Sequence, residues 1–111
     1  MQMLVLIDVM DWQRADMKIP STFKLGKGTY TVGVKNPLPK RVNGRVKPAM
    51  RLIELAPHKA EDMETFWHEV THAILHDING PVSWRNEAFA MCFARRLTQV
   101  IKTAKFKEHN G

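Results

Sequence analysis

His68, His72 and His76 stand four residues apart in the stretch FWHEVTHAILHD, residues 66–77, and make up three of the chain's five histidines. Neutral imidazole is the commonest protein ligand for transition metals, so this spacing raises a metal site. Within the run, His68-Glu69-Val70-Thr71-His72 reads HExxH. Residues four apart share one face of a helix, so His68 and His72 can turn both rings to one zinc ion. Glu69 follows His68 by about 100° of helix rotation. That position suits a base acting on water at the metal better than it suits a ligand. The plain alternative is a pair of surface histidines on an amphipathic helix.

Zinc needs a third protein ligand. His76 is the first candidate, but at ~1.5 Å of rise per residue it lies ~12 Å from His68 along an unbroken helix. Zinc–nitrogen bonds of ~2.0–2.1 Å do not span that. His76 is therefore expected to support the site, to line the substrate's path or simply to face solvent. Glu87 is the better candidate. A turn over residues 79–82 would reverse the chain into an antiparallel helix pair. His72 then stands ~9 Å back from the turn and Glu87 ~6 Å beyond it, nearly level. Glu87 is also the only acidic residue between Asp77 and Glu108. Its plain alternative is a solvated glutamate favoured by a helix dipole.

These residues need elements to hold them. Met63, Phe66, Trp67, Val70, Ile74 and Ile78 form a helical stripe over residues 61–78, with Glu61, Asp62 and Glu64 in the first turn. The stripe centres nearly opposite His68 and His72, which turns the histidines toward a cleft or another element. Asn79-Gly80-Pro81 stops the helix, with the glycine as its C-cap. Ser83 is placed to cap a second helix running to about Lys105, with a stripe of Phe89, Phe93, Leu97, Val100, Ile101 and Ala104. Ahead of these, residues 22–34 read as a hairpin about Gly26-Lys27-Gly28. Residues 36–48, with Pro37, Pro39, Pro48 and Gly44, read as a loop or edge segment, and residues 50–55 as a strand ended by Pro57. Residues 3–9 read as a short strand or irregular lead-in. The expected fold class is α+β: a small antiparallel or mixed sheet from the N-terminal half packed on two long C-terminal helices, the first carrying HExxH.

A chain of 111 residues makes one modest domain, 1–111. The lone cysteine, Cys92, allows no internal disulfide and fits a reducing compartment. Leu4-Val5-Leu6-Ile7 is too short to span a bilayer and is not read as a signal peptide, so no membrane partner is expected. The net charge of +6 is spread along the chain, no nucleic-acid motif accompanies it, and nucleic-acid binding ranks last among the functions considered. Trp67 and Trp84 read as helix-packing residues, Cys92 as a small buried residue, and Met91 as core filling. His58 and His109 read as ordinary loop and tail residues.

HExxH followed by a glutamate on the next helix resembles the gluzincin metallopeptidases. The texture WHEVTHAILHD…NEAFAMCFARRL, with its short spacing, is similar to the small ImmA/IrrE-type peptidases and minigluzincins, many of them encoded by phages and mobile elements. The resemblance covers residues 50–101. It implies His68, His72 and Glu87 as zinc ligands, Glu69 as general base and acid, a peptide or protein substrate, and a cytoplasmic location. It also implies that the strand from Met50 to Leu55 is the edge that pairs with extended substrate. Larger gluzincins often carry an aspartate four residues after the ligand glutamate. Met91 stands there, leaving no acid to orient a histidine. His76, Tyr30, His109 or an arginine is left to steady the oxyanion, and the basic tail from Lys102 to Gly111 is a candidate plug for the cleft. The alternative function is a catalytically weak or inactive zinc-binding accessory module that binds a host protein.

Overall fold

The computed structural model describes residues 18–105. The expected lead-in at 3–9, His109 and most of the candidate plug lie outside that range. The hairpin forms as the sequence predicts: β1, Thr22–Leu25, pairs antiparallel with β2, Gly28–Val34, in a register that sets Leu25 opposite Gly28. Gly26 turns the chain at φ 60, and a Cβ there would sit 2.8 Å from the Asp77 carboxylate. Both the angle and the space require glycine.

The strand β3, Gly44–Lys47, runs antiparallel to β4, Leu52–Leu55, and β4 in turn runs parallel to β2. The sheet order is β1-β2-β4-β3. The segment read as loop or edge thus supplies the outer strand. The strand read as a substrate-pairing edge is interior, because both sides of β4 are already hydrogen-bonded.

Alternation along the strands sends one face inward. Tyr30, Ile53 and Leu55 from the sheet close on Phe66, Val70 and Ala73 from the first helix. Phe23 stacks on Tyr30 with ring centroids 5.3 Å apart and meets Phe66 edge-on at 6.0 Å. Ile53, Leu55 and Phe66 are completely enclosed. Burial of such side chains contributes roughly 1.5–3 kcal/mol each.

The helix α1 spans Met63–Ile78. Asp62 caps it by accepting from the Thr65 backbone N–H at 3.1 Å and from the Thr65 hydroxyl. At its end the left-handed residue is Asn79, φ 53, whose N–H donates to the Leu75 carbonyl. The expected glycine cap thus falls one residue earlier, on a side chain that tolerates this conformation.

The helix α2, Glu87–Thr103, starts later than expected. Its cap is Asn86, which accepts from the Phe89 N–H at 2.9 Å, while Ser83 closes a local turn by accepting from the Arg85 N–H. The stripe on α2 is also corrected. Phe89, Phe93 and Val100 are exposed, and Ala90, Ala94 and Thr98 are buried instead. Small side chains let α2 approach α1 closely, and the phenylalanines are left on a flank of the helix.

Glu54 is the buried carboxylate of the sheet. Its partner across the β3–β4 pair, Arg45, donates to it at 2.7 Å, and Lys47 lies 3.4 Å away. The Arg45 bond holds the Glu54 carboxyl below its ordinary value. A depressed carboxyl stabilises the fold above the unfolded-state value, and that stabilisation is lost as pH falls through the folded value. Glu54→Gln should therefore cost about 1 kcal/mol at neutral pH. The difference from the parent should vanish at pH values where glutamate is protonated in both states. Urea unfolding at both pH values measures it, and a gap that persisted in acid would locate the effect in packing instead.

Candidate metal centre

One turn of α1 carries His68 and His72 on the face away from the sheet, with ring centroids 4.9 Å apart. Their Nε2 atoms are 3.2 Å apart. Glu87, the first residue of α2, closes the triangle: one carboxylate oxygen lies 3.1 Å from His68 Nε2 and the other 2.8 Å from His72 Nε2. All three side chains thus offer ligand atoms within 4.8 Å of one another, a group that could hold a metal ion. Tetrahedral ligands at zinc-like bond lengths stand about 3.3 Å apart, so the triangle matches such a centre to within about half an ångström.

The donor chemistry fits as well. His72 Nδ1 lies 2.5 Å from the Trp84 carbonyl, which can only accept. That bond puts a proton on Nδ1, and in the neutral ring it leaves the Nε2 lone pair facing His68 and Glu87. Two nitrogen lone pairs and a carboxylate converging on one point repel each other unless a cation lies among them. The orienting acid expected from the resemblance is absent at Met91, and the Trp84 backbone carbonyl takes its role for His72. A backbone acceptor leaves no residue-type signal, which is why the sequence gives no sign of it.

Glu69 lies outside the donor group and is only 6% exposed. Burial pushes its carboxyl up to about 8, and the nearby Glu87 carboxylate adds to the rise. A divalent cation at the three donors would oppose that rise. The strand β3 comes against Glu69 at Gly44, where a Cβ would stand 3.2 Å from Glu69 Cγ. Two grooves meet here. One of about 520 Å³ contains His68, Glu69 and Glu87 with Asn43, Thr65 and Met91. The other, about 210 Å³, contains Glu69, His72 and Glu87 with Arg45, Trp84 and Arg85. Gly44 belongs to both, so β3 runs along the floor of one continuous cleft.

His76 is not in the donor group. It is exposed, and its ring meets Trp84 edge-on at 5.4 Å. Trp84 also meets His72 edge-on at 6.5 Å and carries the Arg85 guanidinium 5.0 Å above its ring. Tyr30 is buried in the core cluster. His58 pairs with Asn43 in the loops at 3.2 Å. Met91, expected in the core, is exposed on the cleft wall, and Cys92, expected buried, is exposed. Both corrections follow from the turn of α2 that buries its alanines.

Comparison of the chain with protein-family models, with curated proteins and with solved structures finds no match. No helix among the described residues is long and apolar enough to cross a membrane.

The geometry separates the two candidates for the third ligand by zinc titration calorimetry. Glu87→Ala should weaken zinc binding by about 100-fold or more, while His76→Ala should change it by less than about threefold. The reverse order would transfer the ligand role to His76.

Proposed function

We propose that this chain is a zinc-dependent peptidase of the gluzincin type, with His68, His72 and Glu87 holding the metal and Glu69 moving protons. The observation that carries the proposal is the position of Glu69. Its carboxyl is buried next to the three donors, at the junction of two grooves that run along an edge strand. A structural zinc clip would give such a carboxyl no role. When bound, zinc supplies Lewis-acid polarisation of a carbonyl and acidifies water.

Each side chain then has a defined task. His72 is held in its ligating tautomer by the Trp84 carbonyl. Glu87 contributes its negative charge, which lowers the net charge of the loaded centre. Glu69 accepts a proton from the attacking water and delivers it to the departing amine. Burial favours the protonated form of its carboxyl, so the proton is retained until the amine leaves.

Substrate recognition is assigned to β3. Among the described residues it has one neighbouring strand, so its outer edge is free to pair with an extended peptide. That replaces the Met50–Leu55 strand in this role. Of the groups considered for steadying the carbonyl oxygen, Tyr30 is in the core and Arg45 donates to Glu54. Arg85, which lines the smaller groove with His72 and Glu69, is the arginine left for the task.

Glu69→Gln keeps the shape of the side chain and removes its base. It should bind zinc with parent stoichiometry and lose about 10²–10⁴-fold in turnover on a quenched-fluorescence peptide library. Parent-like turnover in the variant would remove Glu69 from the reaction. A zinc-loaded parent that cleaves no member of the library would remove the peptidase reading.

A further inference from the structure

The face of α1 opposite the histidines borders a second groove, which shares no residue with the metal centre. It encloses about 590 Å³ between the hairpin, α1 and the last turns of α2, and its walls include Phe23, Leu25, Phe66, Trp67, Val70 and Ile101. Lys18 and Lys24 also border it. Inside it the indole N–H of Trp67 is buried with no hydrogen-bond partner among the described residues. A buried indole N–H ordinarily finds an acceptor, so this donor marks a place where one belongs. An apolar trough of this size left to water also forgoes stabilisation that covering it would supply.

The chain itself carries a matching segment. Met3–Met10, MLVLIDVM, has seven apolar residues of eight and lies outside the described range. The described chain begins at Lys18, which is itself part of the groove wall. Eight residues separate Met10 from Lys18, and that length extends to roughly 26 Å, so the segment can fold back across the trough it starts from. The stretch includes Asp8, Asp11 and Asp16, opposite in sign to the two lysines at the groove. The segment after Lys105 has one apolar residue, Phe106, and cannot cover the same surface. We propose that Met3–Met10 is the occupant of this groove, covering the outer face of Phe66, Val70 and Ile101 and supplying the acceptor for Trp67.

The full chain tests this by fluorescence. With Trp12→Phe and Trp84→Phe in place, Trp67 is the sole tryptophan. Its emission should be blue-shifted and resistant to acrylamide. Adding Leu6→Asp and Ile7→Asp should raise quenching several-fold and shift emission to the red. A chain lacking residues 1–17 should show the same change, and a synthetic peptide of residues 1–17 should reverse it at one peptide per chain. Should the shortened chain fail to fold, the Leu6→Asp/Ile7→Asp chain carries the test alone. Quenching unchanged by those substitutions overturns the proposal. So does exposure caused by removing residues 106–111 instead, which would make the tail the occupant. Protection that survives Leu6→Asp/Ile7→Asp and depends on protein concentration would make it a second copy of the chain, with the same consequence.

Discussion

The close approach of α2 to α1 decides what the rest of the molecule can be. Ala90 and Ala94 have no exposed surface, and Thr98 continues the same row one turn further on. At about 100° per residue, Glu87 lies in the middle of the face these three define. The row that lets the helices pack also delivers the carboxylate. A larger residue at Ala90 or Ala94 would force the helices apart by the width of a methyl group or more. The Glu87 oxygens, now 2.8 and 3.1 Å from the two histidine nitrogens, would move out of reach.

The connection between the helices serves the same end. Asn79 ends α1 in the left-handed conformation, and the chain reaches Asn86 before helix resumes. Within that stretch Trp84 gives its carbonyl to His72 and its ring to His72 and His76. A second helix starting at Ser83 would have spent the Trp84 carbonyl on its own ladder. The late start of α2 is thus what frees an acceptor for the ligand histidine, and it moves Glu87 from the second turn of a helix to its first residue.

HExxH was legible because its meaning lies in spacing along one helix, and rise per residue was enough to separate His76 from His68 and His72. The order of sheet and helices was legible from the change in apolar period near residue 60. The orientation of α2 was not. Its strongest apolar periodicity, Phe89-Phe93-Val100, points about 100° away from the buried row. A stripe drawn through the phenylalanines and a carboxylate at Glu87 facing the histidines were never compatible, and the alanines at 90 and 94 were the signal that chose between them. Apolar bulk reports transfer free energy, whereas close helix contact selects for small side chains. The placement of β4 inside the sheet was hidden for another reason. Which strand lies at an edge depends on partners distant in sequence, and residues 50–55 alternate in the same way with one neighbour or two.

The two faces of α1 do opposite work, and Glu69 sits at the border between them. One side of the helix is locked into the sheet through Phe66, Val70 and Ala73, while the other holds two histidines toward α2. A residue about 100° from His68 falls between the two. It would be half exposed if nothing stood over it. What stands over it is β3, which comes down on the helix at Gly44, where any side chain would press on Leu55, the Glu54 carbonyl and Glu69 itself. The burial that raises the Glu69 carboxyl therefore depends on a hydrogen atom at position 44. It also depends on the Arg45 and Lys47 contacts with Glu54 that tie this outer strand to β4. The strand assigned to hold the substrate is thus the same strand that shapes the environment of the proposed base.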